Sequence, residues 1–257
     1  MKFTFLGTGT SQGVPVIACQ CPVCQSNDYR DKRLRTSALI EYNGVTIAID
    51  AGPDFRQQML NAKVKSLNAI LLTHEHRDHI AGLDDVRAFN WIMQKPMDIW
   101  AEQRVQESIR KELSYVFADS KYPGIPEIVM HDFNGHPFEI SNIKIIPIRG
   151  YHHKLPIYGF RIGDLTYITD ANFIPEEEKG KIVGTKYLIV NALRRQKHMS
   201  HFSLQEALKF ISDFSPRRGF ITHVSHQMGL YADISNELPD NVCFAYDGLS
   251  FEVDTNH

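Results

Sequence analysis

Residues 71–83 read LLTHEHRDHIAGL, an apolar run ending at Thr73 and followed at once by His74, His76, Asp78 and His79, with Gly82 just beyond. Ligand-type side chains packed this densely at the end of a strand are a metal-site arrangement. The pattern constrains the fold. A strand end holds His74 and His76 on a short loop, and a following helical turn can swing Asp78 and His79 toward a second position. The zincin pattern H-E-x-x-H needs its histidines four apart on one helix face. Position 78 is aspartate, so that motif is absent although Glu75 follows His74.

These side chains alone do not complete a two-metal site, so further ligands are expected at other strand ends. IIPIRGYHH runs into His152 and His153, LTYITDAN into Asp170, and GFITHVSH into His223, with His226 three residues on. A single strand-end aspartate is ordinarily a turn or cap residue, but repetition at several ends points to a site where strands converge. Spacing leaves His152 and His153 as alternatives, because neighbours in an extended segment point opposite ways. Asp50, closing VTIAID, is a candidate either to orient a ligand histidine or to shape the turn in DAGPD.

Strand-like runs recur at 2–7, 37–42, 45–50, 68–73, 143–148, 157–162, 165–169, 186–191, 219–222 and 242–247. The dipeptides NG at 43–44 and GD at 163–164 join neighbouring runs as hairpins. Helical patterns cover 54–64, 83–94 and 102–118, and another starts at Ser203, where SLQE offers a capping box with Glu206. Hairpins interleaved with helices, and no clear linker, predict one domain over residues 1–257, an α/β (α+β type) fold of mixed sheets with helices outside. Residues 119–127 are the expected long loop, either a cover for a site or a plain connection.

Three of the four cysteines, Cys19, Cys21 and Cys24, fall within IACQCPVCQS. Charge and composition bear on how to read them. The net charge of −2 gives no overall pull toward nucleic acid, and no apolar run approaches a membrane span. The start MKFTFLGTGTS alternates like a strand and lacks an apolar signal-peptide core, so a cytoplasmic location is expected, where thiols stay reduced. A disulfide is therefore disfavoured. C-x-C-x2-C offers three soft ligands, and a cysteine trio with one histidine is a closed zinc set. The fourth ligand would be His226 or Cys243.

THEHRDH followed by GL resembles the H-x-H-x-D-H signature of the metallo-β-lactamase superfamily. That resemblance implies an αββα sandwich of two mixed sheets with a binuclear metal site at the sheet edges. GTGTSQGVP, CQCPVC, HHKLPIYGF, ITDAN, SHFSL and ITHVSHQ together resemble the phosphonate-pathway cyclic phosphodiesterase branch, with ribonuclease Z and the coenzyme PQQ synthesis B proteins as more distant relatives. The resemblance implies His74, His76 and His152 on one metal, Asp78, His79 and His223 on the other, and Asp170 bridging. It also favours His226 as the fourth ligand of a structural zinc with Cys19, Cys21 and Cys24, leaving Cys243 as a buried strand thiol.

The expected cofactors are then two divalent ions, zinc or manganese, and one structural zinc. Two such ions can share a water, lower its pKa and neutralise phosphoryl charge. Asp78 and His201 are the expected catalytic residues. His201 aligns with a histidine of the branch and is the candidate acid for the departing oxygen. His131, His136 and His198 read as surface or turn residues, and LRRQKH at 193–198 as a solvated charge run with some capacity for phosphate. The expected function is a hydrolase of a small cyclic or nucleotide-like phosphodiester. The expected partner is that substrate, with no membrane, nucleic acid not favoured, and a homodimer left open. Transfer-RNA end processing and an accessory metal-binding role are the alternatives.

Overall fold

A computed structural model describes residues 1–119 and 122–254, in which the alternating runs form two seven-stranded sheets. The first is built from β1 (Lys2–Gly7), β2 (Ser37–Tyr42), β3 (Val45–Ile49), β4 (Ala69–Leu71), β5 (Met97–Trp100) and β6 (Ile128–His131). The second holds β7 (Phe138–Ile140), β8 (Ile143–His152), β9 (Leu155–Ile162), β10 (Leu165–Ile168), β11 (Tyr187–Asn191), β12 (Arg218–Thr222) and β13 (Val242–Phe244). The last strand, β14 (Ser250–Glu252), crosses back to pair with β1. The spatial orders are β14-β1-β2-β3-β4-β5-β6 and β13-β12-β11-β10-β9-β8-β7. Each sheet is antiparallel in one half, while β3 to β6 and β10 to β13 run parallel. Parallel strands release their loops at their C-terminal ends, where α/β folds place ligands.

The strand period sets the layers. Ile47, Ile49, Tyr187 and Ile189 point into the core between the sheets, while their neighbours Ala48, Leu188 and Val190 point outward. Sheets buried on both faces need a helical layer on each side. Among the described residues, eight helices follow in chain order: α1 (Pro22–Gln25), α2 (Phe55–Asn61), α3 (Arg77–Ile80), α4 (Arg87–Met93), α5 (Gln103–Glu112), α6 (Glu176–Lys179), α7 (Leu204–Phe214) and α8 (Tyr231–Glu237). Phe55, Met59, Phe89, Val105 and Ile109 of α2, α4 and α5 cover the first sheet, and Leu204, Ala207, Phe210 and Ile211 of α7 cover the second. Each such buried side chain contributes about 1.5–3 kcal/mol for the larger residues. The Ser203 capping box forms as expected, with Glu206 closing it, and losing the Ser203 hydroxyl would cost about 1 kcal/mol.

Several boundaries move. The strand expected at 143–148 continues to His152, because β8 and β9 pair to the tip of their hairpin, His152 against Leu155. The helix expected over 102–118 stops at Glu112 and resumes as a 3-10 turn at Ser114–Val116. The 83–94 pattern divides into a 3-10 turn, Leu83–Val86, and α4. β5, β6, β7 and β14 are strands of three or four residues that the sequence pattern does not mark. Of the loop expected at 119–127, residues 122–127 are irregular, and 120–121 lie outside the described residues. Among the described residues no helix is long and apolar enough to cross a membrane.

Candidate metal centre

The loop after β4 is anchored before any ligand is placed. Asp50, just past β3, donates its N–H to Leu71 O, and Ala51 donates to His79 O (both 2.8 Å). A Cβ on Gly52 would meet Asp78 O at 1.9 Å, so only glycine lets the DAGPD turn lie against the metal-type loop. Asp78 and His79 ride on the short helix α3, as the sequence pattern demands. His152 comes from the tip of β8, Asp170 from just beyond β10, and His223 from just beyond β12. Asp50, Asp170 and His223 all take left-handed φ values, 63°, 59° and 55°. Three non-glycine residues in that conformation at converging strand ends mark a locally strained site, at about 1 kcal/mol or more each.

The imidazoles then meet. Ring centroids lie 4.6 Å apart for His74 and His76, 4.2 Å for His74 and His79, and 5.0 Å for His76 and His152. His201 lies 4.4 Å from His152 and 5.0 Å from His223. The Nδ1 atoms of four rings face fixed acceptors. His74 donates to Thr73 Oγ1 (3.0 Å), whose own proton goes to Asp50, and His79 donates directly to Asp50 (2.7 Å). His223 donates to Thr36 Oγ1 (3.1 Å), and His152 to the carbonyls of Asp170 and Ser200 (3.0 and 2.9 Å). An imidazole protonated at Nδ1 carries its lone pair on Nε2. The Nε2 atoms of His74 and His79 are buried with no hydrogen-bond partner. Orphaned buried nitrogens beside carboxylates are costly unless something cationic completes them. The donor set fits a metal.

Asp170 is the hub. Its two oxygens lie 3.2 Å from His79 Nε2 and 3.1 Å from His223 Nε2, with His201 Nδ1 at 3.6 Å. Two sets have their donor atoms within 4.8 Å of one another, His74 with His79 and Asp170, and His152 with Asp170 and His201, and they cut across the expected division of the ligands between two ions. Asp170 belongs to both. His76 contacts His152, Asp78 lies 3.3 Å from His79, and His223 lies on Asp170, so all seven expected cluster residues and His201 gather at one place. His153 does not: its side chain is exposed, and its backbone N–H is held by Asn172 (2.7 Å).

Electrostatics agree with that geometry. Burial raises the Asp170 carboxyl, but His223 and His79 outweigh it and hold the group well below the usual range. Burial works against a charged His79, yet Asp50, Asp170 and Asp78 together lift it well above the ordinary histidine value, so the carboxylates demand positive charge at that point. Burial, with neighbouring imidazoles, lowers His74, His76 and His223, keeping them in the neutral form that binds metals. Burial also pushes His201 down to about 3.

The cysteines converge elsewhere. Cys19, Cys21 and Cys24 place their sulfurs 3.3, 3.3 and 3.6 Å from His226 Nδ1, and the four donors form a group able to hold an ion. Cys243 is partly buried on β13 and outside that group. Burial pushes Cys24 up to about 11; Cys21, despite some burial, is held at about 6 by the Cys24 N–H and by His226.

Several residues that shape the centre were invisible in the sequence pattern. Thr36 and Thr73 orient rings, and Asn191, fully buried, grips both backbone groups of Ala171 (2.8 and 2.9 Å) next to Asp170. Only Thr73 had a signal, its place immediately before His74. His198, expected at the surface, lies 5.3 Å from the His201 ring. The arginines of the 193–198 run are engaged, Arg194 with Gln227 (3.0 Å) and Arg195 with Glu237 (2.7 Å).

A family model described as a beta-lactamase superfamily domain matches residues 46–224. An octanoyltransferase of Porphyromonas gingivalis is 40% identical over 257 residues, covering 99% of this chain and 52% of its own length. The chain thus spans about half the length of that curated relative. A diphosphatase from the PhnP family, in its crystal structure, superposes with a TM-score of 0.92 at 33% identity, covering 99% of this chain and 98% of the other. Zn²⁺-bound PqqB from Methylobacterium extorquens has the same fold, with a TM-score of 0.80 at 19% identity over 98% of this chain and 100% of the other. With the two seven-stranded sheets and the converging histidines already in place, the chain belongs to the metallo-β-lactamase superfamily and, within it, to the PhnP family.

Proposed function

We propose that the chain is a binuclear-metal hydrolase acting on a small cyclic or nucleotide-like phosphodiester. The observation that carries this reading is the convergence of ring-oriented imidazoles on the shared carboxylate of Asp170. In this reading His74, His76 and His152 would hold one divalent ion and Asp78, His79 and His223 the other, with the Asp170 carboxylate available to both. Nitrogen and carboxylate donors suit zinc or manganese. Such a pair would lower the pKa of a water held between them and offset charge developing on phosphoryl oxygens.

The chain's own residues do the rest. Asp50 and Thr73 fix the tautomers of His79 and His74, and Thr36 that of His223, so these donors are aimed in advance. His201, held neutral by burial, is placed to offer the departing oxygen a hydrogen bond. A cavity of about 540 Å³ opens beside His76 and His152, bounded by Lys154, Leu155 and Met199, a size that suits a small substrate. Cys19, Cys21, Cys24 and His226 would hold a structural zinc, tying the loop after β1 to the segment following His223.

The test is a substrate panel with metal-loaded protein: cyclic phosphates, phosphoric anhydrides, transfer-RNA precursors and octanoyl thiolesters. The anhydride and thiolester arms answer to the diphosphatase and the octanoyltransferase among the relatives. Turnover of cyclic or nucleotide-like diesters is expected. Turnover of thiolesters alone would overturn the reading.

A further inference from the structure

The ligand histidines come from two sheets, and something must keep the two halves in register. His74 and His76 sit on the loop after β4 of the first sheet, whereas His152 sits at the tip of the β8–β9 hairpin of the second. Between His74 and His76 stands Glu75, whose carboxylate takes a close hydrogen bond from Arg104 Nη1 and keeps its other oxygen buried. The second arm of the same guanidinium, Nη2, donates to Pro156 O (2.6 Å). Pro156 pairs with Tyr151, and Leu155 with His152, so that carbonyl belongs to the hairpin tip. Arg104 itself is in the first turn of α5, supported by Glu102 (3.5 Å), which also approaches Arg149 (3.5 Å).

We propose that Arg104 is a positioning residue for the metal cluster: its fork joins the His74–His76 loop to the hairpin bearing His152, setting the distance between ligands from opposite sheets. This rests on the binuclear reading above. The chemistry requires a guanidinium. Its two arms serve two acceptors at once in fixed geometry, whereas a lysine ammonium is a single compact charge on a flexible stem. Without it the Glu75 carboxylate would be left unpaired in a half-buried place beside two imidazoles, free to draw the loop away from His152.

The test is chelator challenge of metal-loaded protein, with bound metal counted by elemental analysis and the melting temperature followed alongside. The parent is expected to keep its cluster ions. Arg104→Lys should release one equivalent at about tenfold lower chelator, within the range seen when groups supporting metal ligands are removed, while the remaining equivalents leave as in the parent. Glu75→Gln, which keeps the shape of the side chain but not its charge, should behave likewise and covers the case in which an Arg104 variant folds poorly. A general loss of all metal together with a falling melting temperature would indicate a merely structural tie and overturn the proposal. So would release from both variants at the parent's chelator concentration. If the parent itself keeps no ion beyond the cysteine group, the binuclear reading fails and this proposal falls with it.

Discussion

The molecule carries two ligand clusters built on opposite plans. The cysteine cluster draws three of its four donors from one short loop, Cys19 to Cys24, and its members contact chiefly one another and His226. The histidine–aspartate cluster draws donors from positions 74 to 223, and at least four of its rings are held from behind by Asp50, Thr73, Thr36 or a carbonyl. The first is local, three donors within six residues of one another. The second is imposed by the sandwich and oriented in advance. Preorganised donors are what catalysis requires, because nothing need rearrange as charge develops. A structural ion needs only a closed coordination set.

That contrast is most directly broken by deleting one carboxylate. Asp78→Ala should reduce phosphodiester hydrolysis by about a thousandfold or more, equivalent to roughly 4 kcal/mol of transition-state stabilisation, while the melting temperature changes little. Kinetics on a generic aryl phosphodiester, with circular dichroism as the folding control, would decide it. Full activity in that variant would end the two-metal mechanism.

The cysteine cluster should respond in the other order, stability first and chemistry second. Cys21→Ser is expected to lose one tightly held zinc and to lower the melting temperature, with activity falling only about tenfold, because the variant removes a tether to the His223 segment and no active-site donor. Zinc content equal to the parent's would refute the structural site.

How much of this was legible beforehand follows from the range of the interactions. The β2 and β3 runs announced themselves because their alternation faces two different cores and Asn43–Gly44 turns between them with both φ values positive. β5 and β6 did not, since four residues hold too little pattern and they pair in parallel, β5 with β4 and β6 with β5, with no hairpin turn to announce them. In the centre, the residues that touch each other as donors could be read from HEHRDH and the strand ends. Of the residues behind them, Asp50 was a candidate from its place at the end of VTIAID, and it does hold His79; Thr36 was not, because it acts on His223 across 187 positions and a lone threonine looks the same wherever it stands. Arg104 was hidden for the same reason, its role lying in two acceptors 29 and 52 residues away.

Thr36 also supplies a finer test of the preorganised half. Thr36→Val keeps the shape but removes the acceptor for His223 Nδ1, and with it the bond to Gly9 O (2.7 Å). Loss of such a partner is expected to weaken metal affinity by about 10–100-fold, with the cysteine-bound zinc unaffected. Metal titration of parent and variant would show whether orientation from behind matters; equal affinities would mean that it does not.

The smallest effect concerns two aspartates held in opposite ways, the buried Asp170 and the half-buried Asp247. Asp170 is held low by imidazoles. Asp247 accepts from Thr8 N and Oγ1 (2.8 and 2.7 Å) and from Leu34 N (2.6 Å). Burial outweighs those bonds and the nearby Arg33, pushing Asp247 up to about 6. A carboxyl whose folded pKa exceeds its unfolded one stabilises the fold when protonated, so its contribution is complete below the unfolded value and is lost as pH rises through about 6. The whole shift corresponds to at most about 3 kcal/mol, of which about 1–2 kcal/mol falls between about pH 5 and pH 7.5. The parent should therefore lose that much more stability over this interval than Asp247→Asn, whose amide does not titrate. Denaturant midpoints of both proteins at the two pH values measure the difference. Parallel slopes would show that the hydrogen bonds from Thr8 and Leu34 already keep Asp247 ionised, and that both carboxylates are held in the same way.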